Sequence, residues 1–448
     1  MKKIIIKFFL AYLKVGAKIQ LLKIKPKIIA LTGSAGKTSL RNAIEAVLKD
    51  DFKVKKSIKA NSETGIPLDI LDLHLKDYSY LDWLRVFLLV PIMLLFNWKQ
   101  YDYYIVELGI DEPYWPKNMK YLLSFIKPDL SIFLNVLAVH TQQFEKAIPE
   151  NKKFSSSFEK QNSLLNLIAQ EKGKILTQLN KGKIGLANAD DLLVLKEAQK
   201  SKAKIFYFGK KASLNFNNLK IIKTSHSLKG TEFTFQHLKK IYHLKLNFLL
   251  PSYYVTTLAA AIQTGLVLGL SFEKALTNLK KNFSLPLGRM SVFKGLKKTL
   301  IIDSSYNASK KAVLGALELL KNLKTKANKV FVFGDMRELG SQTKKEHEAV
   351  AEKILEFVDL LVCVGPETKK YVYPKTKAKI KSFCFKNSFQ AGDWLLENLQ
   401  GGEVILVKGS QNTIFLEVVV EKLLENKKDI KKLCRQSKYW DKKRKELI

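Results

Sequence analysis

The stretch "ALTGSAGKTSL", residues 30–40, decides how the first half of the chain folds. It ends in Gly-Lys-Thr, typical of a loop that wraps a nucleotide phosphate, but the usual loop has a glycine five positions before Gly36. Leu31 stands there instead, and Gly33 is the only other glycine of the stretch. "KIIALTG" predicts a buried strand that breaks at Gly33, and "KTSLRNAIEAVLKD" has helical periodicity. The stretch therefore lies between a strand and a helix, as a phosphate loop does.

Four more apolar runs after this stretch predict buried strands. They are "YDYYIVELGI" (101–110), "PDLSIFLNVLAVH" (128–140), "GKIGLANADD" (182–191) and "AKIFYFG" (203–209). Because helical patterns separate most of these runs, we expect a mostly parallel sheet covered by helices. Residues 213–247 read as a small set of antiparallel strands separated by turns.

A second alternating series begins near Gly288. Its strands are "KTLIIDSSY" (298–306), "KVFVFGDM" (329–336), "LLVCVG" (360–365) and "EVILVKGS" (403–410). This pattern predicts a separate Rossmann-like α/β domain. We therefore expect an α/β protein in three parts: a basic amphipathic helix (1–26), a central P-loop ATPase domain (27–285) and a C-terminal Rossmann-like domain with a basic tail (286–448).

The charge of the chain limits its partners. Lys and Arg number 77 against 41 acidic residues among 448, giving a formal net charge of +36. Such an excess favours anionic partners, although a lysine-rich proteome would explain it equally well. The lysines are spread along the chain without a nucleic-acid-binding motif, so we expect no nucleic acid. Three cysteines, far apart in sequence, argue against structural zinc and disulfides and favour a reducing cytoplasm.

Two apolar segments lie near the N-terminus. The first 26 residues carry Lys7, Lys14, Lys18 and Lys25 at helical spacing. They contain no span of about 20 apolar residues, as a membrane crossing requires, and no small-residue cleavage site follows. This helix either lies on an anionic membrane surface or packs onto the body of the protein. "WLRVFLLVPIMLLFNW" (83–98) predicts an apolar insertion at about 80–99, either buried or touching a membrane, a partner or a second copy.

Polar residues stand at the ends of three of the predicted strands, at 32–39, Glu107 and His140. Because ligands collect beyond the carboxyl ends of parallel strands, these residues predict a nucleotide–metal site. Lys37 is suited to phosphate charge, and hydroxyl and carboxylate oxygens suit Mg²⁺. The residues expected to hold the phosphates are Gly33, Ser34, Ala35, Gly36, Lys37, Thr38 and Ser39.

"TGSAGKTS" (32–39) resembles the shortened phosphate loop of the Mur ligases, the ATP-dependent amide ligases of peptidoglycan precursor synthesis. Eight later motifs resemble those of this family in the same order. They are "NSETGIPLDIL" (61–71), "VELGI" (106–110), "NVLAVH" (135–140), "NADD" (188–191), "LGRM" (287–290), "IIDSSYNAS" (301–309), "FGDMRELG" (333–340) and "VKGSQ" (407–411). The last motifs are most similar to the branch that adds D-alanyl-D-alanine to UDP-N-acetylmuramoyl-tripeptide.

The resemblance implies a reaction through an acyl phosphate. A substrate carboxylate takes the γ-phosphate of ATP, and an amine then displaces phosphate to leave an amide. Lys37 would act on the phosphates, Thr38 and Glu107 would hold one Mg²⁺, and His140 would hold a second. A lysine carbamylated by CO₂ is implied as a further ligand of the second metal, and the candidates are Lys172 in "EKGKIL" and Lys160 in "FEKQNS".

The resemblance also implies roles in the C-terminal part. Arg289 would reach the γ-phosphate, and Asp303 would approach the ribose unless it is only a strand-end acid making a turn. His347 is either functional or a helix cap. The remaining implied contacts are Thr256, Tyr306 and Asn307 for the nucleotide, and Asn61, Lys408 and Ser410 for the substrate.

Three departures from the family pattern stand out. The family carries a UDP-binding domain ahead of the phosphate loop, whereas 26 residues precede the loop strand here. "LPSYYVTTLAAA" (249–260) has Thr256 where the family has an asparagine beside adenine, so adenine could stack on Tyr253 or Tyr254. Gln411 replaces an arginine that could bind a carboxylate.

Together these patterns predict an ATP- and Mg²⁺-dependent ligase acting on a nucleotide-linked or lipid-linked peptide precursor. The alternatives are a ligase core with another carboxylate and amine, such as an acidic polyamide, or a non-catalytic ATP-binding regulator. We expect a cytoplasmic monomer, with peripheral contact to the inner face of an anionic membrane as an open possibility.

Overall fold

The strand that enters the phosphate-loop stretch lies inside a large sheet. The structure is a computed structural model. It describes residues 2–58, 60–76, 79–110, 112–137, 141–149, 154–214, 218–337, 339–410 and 413–446. The chain forms two compact units, which we describe separately. The first is Met1–Lys223, Thr234–Leu244 and Tyr254–Phe283, and the second is Thr224–Phe233, Lys245–Tyr253 and Ser284–Ile448. The expected boundary at 285/286 stays a prediction.

The first sheet has nine strands in the order β2-β3-β1-β4-β5-β6-β7-β8-β9. The strands are β1 Lys27–Thr32, β2 Val54–Lys56, β3 Tyr103–Glu107, β4 Leu130–Phe133, β5 Ile184–Asn188, β6 Lys204–Gly209, β7 Leu219–Ser227, β8 Gly230–His237 and β9 Lys240–Leu246. Strands β2 to β7 pair in parallel. Two-residue turns join β7, β8 and β9, so these strands run antiparallel, and parts of them are grouped with the second unit.

Helices cover both faces of this sheet. They are α1 Lys2–Ile24, α2 Lys37–Leu48, α3 Gly65–Ile70, α4 Tyr80–Phe96, α5 Met119–Leu123, α6 Thr141–Glu145, α7 Ser157–Thr177, α8 Leu192–Ala198, α9 Tyr254–Val267 and α10 Phe272–Asn282. Successive β1 residues from Ile28 to Leu31 are all buried, as expected for a parallel strand covered on two sides. Helix α2 buries Leu40, Ile44 and Val47, the spacing of a single face.

The second unit contains a six-stranded sheet in the order β10-β11-β15-β12-β13-β14. Its strands are β10 Ser291–Lys294, β11 Leu300–Ser304, β12 Lys329–Gly334, β13 Leu360–Val364, β14 Lys381–Phe385 and β15 Val404–Lys408. Only β10 pairs antiparallel; the other pairings are parallel. The helices are α11 Lys310–Asn322, α12 Thr343–Ile354, α13 Pro366–Tyr371, α14 Tyr373–Thr376, α15 Ser388–Asn398, α16 Glu417–Leu423 and α17 Lys438–Lys445, with short 3₁₀ helices at Leu296–Lys298, Gly340–Gln342 and Lys427–Lys432.

The two apolar N-terminal segments form helices α1 and α4. Helix α1 buries Leu10, Ala17 and Leu21 in the same core as residues of β1 and β3. Helix α4 buries only Val86 and Val90 among its apolar side chains. Packing onto the body of the protein therefore accounts for one side of each helix, and the other side is exposed.

Candidate functional site

The phosphate-loop stretch forms a turn of residues 33–36 between β1 and α2. Gly36 has a φ of +83°, in the left-handed region that residues with a Cβ avoid. It is also the N-cap of α2, and among the described residues no side chain caps this helix start. The N–H groups of such a helix start form a site for phosphate. Leu31, which stands where the usual loop has glycine, is a fully buried residue of β1.

Asn135, just after β4, holds this turn from the side. Its Oδ1 accepts a hydrogen bond from Ala35 N at 2.9 Å, and its Nδ2 donates to Ala35 O at 3.0 Å. Its backbone O accepts from Ser34 N at 3.0 Å. Ser34 Oγ in turn accepts from Leu137 N at 3.0 Å. The turn is therefore fixed by the neighbouring strand end.

Lys37, Thr38 and Glu107 lie together at this end of the sheet. Lys37 Nζ donates to Gly33 O at 2.8 Å, so its ammonium lies over the turn. Thr38 Oγ1 donates to Glu107 Oε2 at 3.2 Å. Arg41 Nη1 lies 2.9 Å from Glu107 Oε1. Burial raises the pKa of Glu107, and Arg41 opposes that rise, so the carboxylate has a cationic partner.

The donor set at Thr38 and Glu107 fits Mg²⁺. A hydroxyl and a carboxylate are hard oxygen ligands, and Mg²⁺ usually takes one or two carboxylates plus substrate phosphates. Glu107 Oε1 accepts no hydrogen bond of good geometry within the described chain. The described residues contain no group of three or more His, Cys, Asp and Glu side chains arranged for a metal. A magnesium ion here would take its remaining ligands from substrate phosphates and water.

The two carbamylation candidates differ sharply in position. Lys172 is buried on α7, and its Nζ donates to Ile110 O at 2.8 Å, three residues beyond Glu107. Lys160 is exposed on the same helix, about 18 Å away along the axis. The structure therefore brings Lys172, and not Lys160, to the end of β3. His140 lies outside the described residues.

Two further residues of the first unit, Asn61 and Thr256, were also predicted as part of the site. Asn61 is exposed, and its backbone O accepts a hydrogen bond from Gly109 N at 2.8 Å. Thr256 is half-buried on α9. Its neighbour Thr257 is the residue beside the turn, because its Oγ1 lies 3.6 Å from the position of a Cβ on Gly36.

In the second unit, exposed Arg289, just before β10, pairs with half-buried Tyr306, just after β11. The Arg289 guanidinium lies 4.9 Å from the centre of the Tyr306 ring, which is cation–π distance. Tyr306 N donates to Gly288 O at 3.0 Å, which ties the two segments together. Asn307 is exposed, and its Oδ1 accepts from Ala308 N at 2.8 Å. Arg289 and Asn307 are therefore accessible to a ligand.

Three predicted residues of the second unit are buried close to the turn after β11: Asp303, Lys408 and Ser410. Asp303 Oδ1 accepts from Ser305 N at 2.9 Å, as a strand-end acid making a turn does. Burial raises the pKa of Asp303 to about 6 and lowers that of Lys408 to about 7. Lys408 Nζ donates to Asn307 O at 2.9 Å, and Ser410 Oγ donates to Ala308 O at 3.2 Å. In this arrangement all three support the turn, and their contacts to ribose and substrate stay predictions.

His347 is fully buried on α12. Its Nδ1 donates to Thr343 O at 2.7 Å, and its Nε2 accepts from Met336 N at 3.0 Å. Both ring nitrogens are therefore engaged by the backbone, which fits a structural role at the start of α12.

Two family models match the chain. The first describes the Mur ligase middle domain and matches residues 31–264, more than half of the chain. The chain belongs to the Mur ligase family. The second model, described as "Mur ligase, glutamate ligase domain", matches residues 288–411. As a Mur ligase, the protein is an ATP-dependent, amide-forming ligase. The predicted family and the predicted enzyme class are confirmed.

Curated relatives of this Mur ligase include the UDP-N-acetylmuramoyl-tripeptide–D-alanyl-D-alanine ligases of Escherichia coli (strain K12) and Bacillus subtilis (strain 168). The first is 25% identical over 411 residues, covering 90% of this chain and 78% of the relative. The second is 23% identical over 419 residues, covering 92% and 78%. The solved MurF ligase from Thermotoga maritima in complex with ADP matches with a TM-score of 0.71 at 22% identity, covering 94% of this chain and 84% of that one. This structural likeness supports the fold alone, and the predicted α/β fold is confirmed.

Three residues of this Mur ligase site were not predicted from sequence. Asn135 holds the turn, Arg41 pairs with Glu107, and Thr257 flanks Gly36. Asn135 begins "NVLAVH" directly after a buried strand, so its position at a strand end was an available signal. The roles of Arg41 and Thr257 arise from contacts across the fold that the local pattern does not contain.

The tail beyond the second matched region also enters the second unit. The Arg435 guanidinium donates to Glu417 through two hydrogen bonds, Nε to Oε1 at 2.7 Å and Nη2 to Oε2 at 2.5 Å. It further donates to Ser305 O at 2.9 Å and Tyr306 O at 3.0 Å. Only 4% of the Arg435 side chain and none of the Glu417 side chain is exposed. The tail, which the sequence predicts only as a basic end, therefore anchors the turn that carries Tyr306.

Proposed function

We propose that this Mur ligase joins the carboxylate of UDP-N-acetylmuramoyl-tripeptide to the amine of D-alanyl-D-alanine with cleavage of ATP. The observation that carries the proposal is the alignment of about nine-tenths of the chain with relatives named for that reaction. The "DSSYNAS", "GDMRELG" and "VKGSQ" segments, which resemble that branch of the family, lie within the aligned C-terminal domain. We propose a cytoplasmic location, where ATP is available.

The reaction has two chemical steps. A carboxylate oxygen attacks the γ-phosphorus of ATP, the bond to the β-phosphate oxygen breaks, and ADP leaves an acyl phosphate behind. The amine of the acceptor then attacks the acyl carbon. The C–O bond to phosphate breaks, and the nitrogen loses a proton as the amide forms. Both steps require anions to approach one another, so positive charge and fixed dipoles must offset their repulsion.

The described residues supply that positive charge in fixed positions. The N–H groups of residues 33–39 are oriented by the start of α2 and by the bonds from Asn135. The Lys37 ammonium, hydrogen-bonded to Gly33 O at the turn, would bind a phosphate oxygen of ATP. Thr38 and Glu107 would hold Mg²⁺, which neutralises phosphate charge when it is bound. Arg41 offsets part of the rise in the pKa of Glu107 that burial causes.

A phosphate-release assay tests the substrate pair. We expect release from ATP when UDP-N-acetylmuramoyl-tripeptide and D-alanyl-D-alanine are both present, and little release when either is omitted. Parallel reactions with an acidic polyamide or a lipid-linked precursor as the carboxylate substrate separate the alternatives. Turnover with one of those and none with the proposed pair would reject the proposed substrates while keeping the ligase. ATP binding without turnover on any pair would favour a regulator.

We further propose that Lys172 is carbamylated and that the carbamate contributes to a second Mg²⁺ site. The Lys172 amine would attack the carbon of CO₂ and lose a proton, leaving a carbamate anion. Support comes from its burial and from the 2.8 Å hydrogen bond that holds its Nζ at Ile110 O, close in sequence to Glu107. A carbamate there would add an anionic oxygen ligand near the Thr38–Glu107 pair.

Carbon-13 NMR of protein equilibrated with labelled bicarbonate checks this proposal without measuring activity. We expect a carbamate carbonyl signal in the unaltered protein, its loss in Lys172→Arg and its retention in Lys160→Arg. Lys160 is the matched control because it lies on the same helix and is exposed. A signal that persists in Lys172→Arg and disappears in Lys160→Arg would assign the carbamate to the other lysine.

A further inference from the structure

Helices α1 and α4 expose a shared apolar surface, which we call the α1–α4 face. On α1 it consists of Phe8, Val15 and Leu22, and on α4 of Leu84, Leu88 and Leu95. These six side chains are between 46% and 71% exposed. Soluble proteins rarely expose contiguous apolar patches of this kind without a partner.

The two helices pack side by side in parallel. The Phe9 and Trp83 rings meet edge to face at 4.8 Å, near the start of both helices. Towards their ends, Gln20 Nε2 donates to Asn97 O at 2.8 Å. Midway, a Cβ on Gly16 would lie 3.0 Å from Val90 Cγ1, so the helices approach closely.

The exposed stripes of both helices face the same way. Leu13 of α1 and Val86 of α4 lie in one buried cluster on the opposite side. Because parallel helices that share a partner on one side must present their remaining sides together, the two stripes form one surface. The only charged residues of α4, Asp82 and Arg85, pair with each other at 2.6 Å. The α4 part of the face therefore carries no unpaired charge.

Lysines border this face. Helix α1 contains no Asp or Glu, and its Lys7 and Lys18 are exposed, as is Lys25 just after the helix ends. Two tryptophans stand at opposite borders of the face. Trp98 is 61% exposed, and Lys23 Nζ lies 4.4 Å from the centre of its ring. Trp115 is 49% exposed, and Lys7 Nζ lies 5.7 Å from the centre of its ring. Tryptophan and lysine at the edge of an apolar patch are typical of a surface that meets lipid headgroups.

We infer that the α1–α4 face docks on the surface of an anionic phospholipid bilayer. The apolar stripes enter the boundary between headgroups and acyl chains, and the bordering lysines contact lipid phosphates. No described helix has the length and apolarity to cross a bilayer, so the helices lie along it. A second copy of the chain fits less well, because it would bring two lysine borders of the same charge together. Placing this contact on the inner face of the membrane rests on the proposed cytoplasmic location. The lipid contact itself does not rest on that location.

Vesicle flotation of the full chain tests this docking. We expect the protein to float with vesicles of phosphatidylglycerol and phosphatidylcholine, to float poorly with phosphatidylcholine alone, and to be partly released by high salt. Leu88→Glu/Leu95→Glu should lower the bound fraction more than about tenfold, because two exposed leucines no longer enter the bilayer. Leu192→Glu is the matched control, since Leu192 is 71% exposed at the start of α8.

Three results would overturn the docking. One is equal flotation of the double variant and Leu192→Glu. Another is equal flotation with neutral and anionic vesicles. The third is a lipid-free dimer that the double variant dissociates, because the face would then be a contact between copies. Phosphate release without vesicles, measured on the same variants, separates failure of the docking from failure of the proposed ligase activity. Point changes are preferable to deleting α1, which would also remove Leu13 and Ala17 from the core.

Discussion

Lys37→Ala is expected to lower phosphate release by at least about a hundredfold, the range seen when one preorganised charge-stabilising group is removed. The Lys37 Nζ lies over the turn of residues 33–36, hydrogen-bonded to Gly33 O. The acyl-phosphate step, in which charge accumulates on the transferred phosphoryl group, should therefore lose most of its rate.

Steady-state phosphate release with the substrate pair that the unaltered enzyme turns over is the measurement. Lys49→Ala is the matched control, because Lys49 is exposed at the opposite end of α2. Its rate should stay within about twofold, since an exposed charge at that distance is screened by solvent. If Lys37→Ala and Lys49→Ala have similar rates, the turn is not the phosphate site.

Arg435→Met should destabilise the second unit by about 3–5 kcal/mol, the usual effect of removing one partner from a buried ion pair. Glu417, none of whose side chain is exposed, would lose its Arg435 partner. Ser305 O and Tyr306 O would also lose their guanidinium donors. Because unpaired buried charge is the main cause, Arg435→Met/Glu417→Met should be much less destabilised than Arg435→Met alone.

Urea unfolding monitored by circular dichroism gives the free energies of unfolding. Lys432→Met is the control on the same tail, since Lys432 is 61% exposed and pairs with Asp429 at 2.7 Å on the surface. Such surface pairs contribute at most about 1 kcal/mol. Equal destabilisation by Arg435→Met and Lys432→Met would mean that the tail does not anchor the turn after β11.

Most central strands of the two sheets could be predicted because they leave a strong local signal in the sequence. Strands β1, β3 and β15 are buried apolar runs that end in a polar residue, as strands covered on both faces do. The edge strands β2, β10 and β14 were not predicted. They are short and half-exposed, so their pairing depends on the neighbouring strand more than on their own sequence.

The candidate site likewise contains residues that could be predicted from the sequence and residues that could not. Lys37 and Thr38 could be named because they follow the glycine turn after a predicted strand, and Glu107 because it stands near the end of another. Asn135 and Ala35 are 100 residues apart in sequence, and Arg435 and Ser305 are 130 apart. Such pairs form only when distant segments fold together, so a pattern confined to one segment does not contain them. For Lys172 the sequence left a rival, and the difference in burial within α7 distinguishes the two lysines.

The two hydrogen bonds between the Asn135 side chain and the Ala35 backbone also affect the thermodynamics of nucleotide binding. Fixing the backbone of one residue costs about 1–2 kcal/mol of conformational entropy. Because the strand-end amide already holds the turn without a ligand, that ordering is completed when the chain folds. An arriving nucleotide therefore meets a rigid receptor, and little of its binding free energy is diverted into immobilising the peptide around its phosphates.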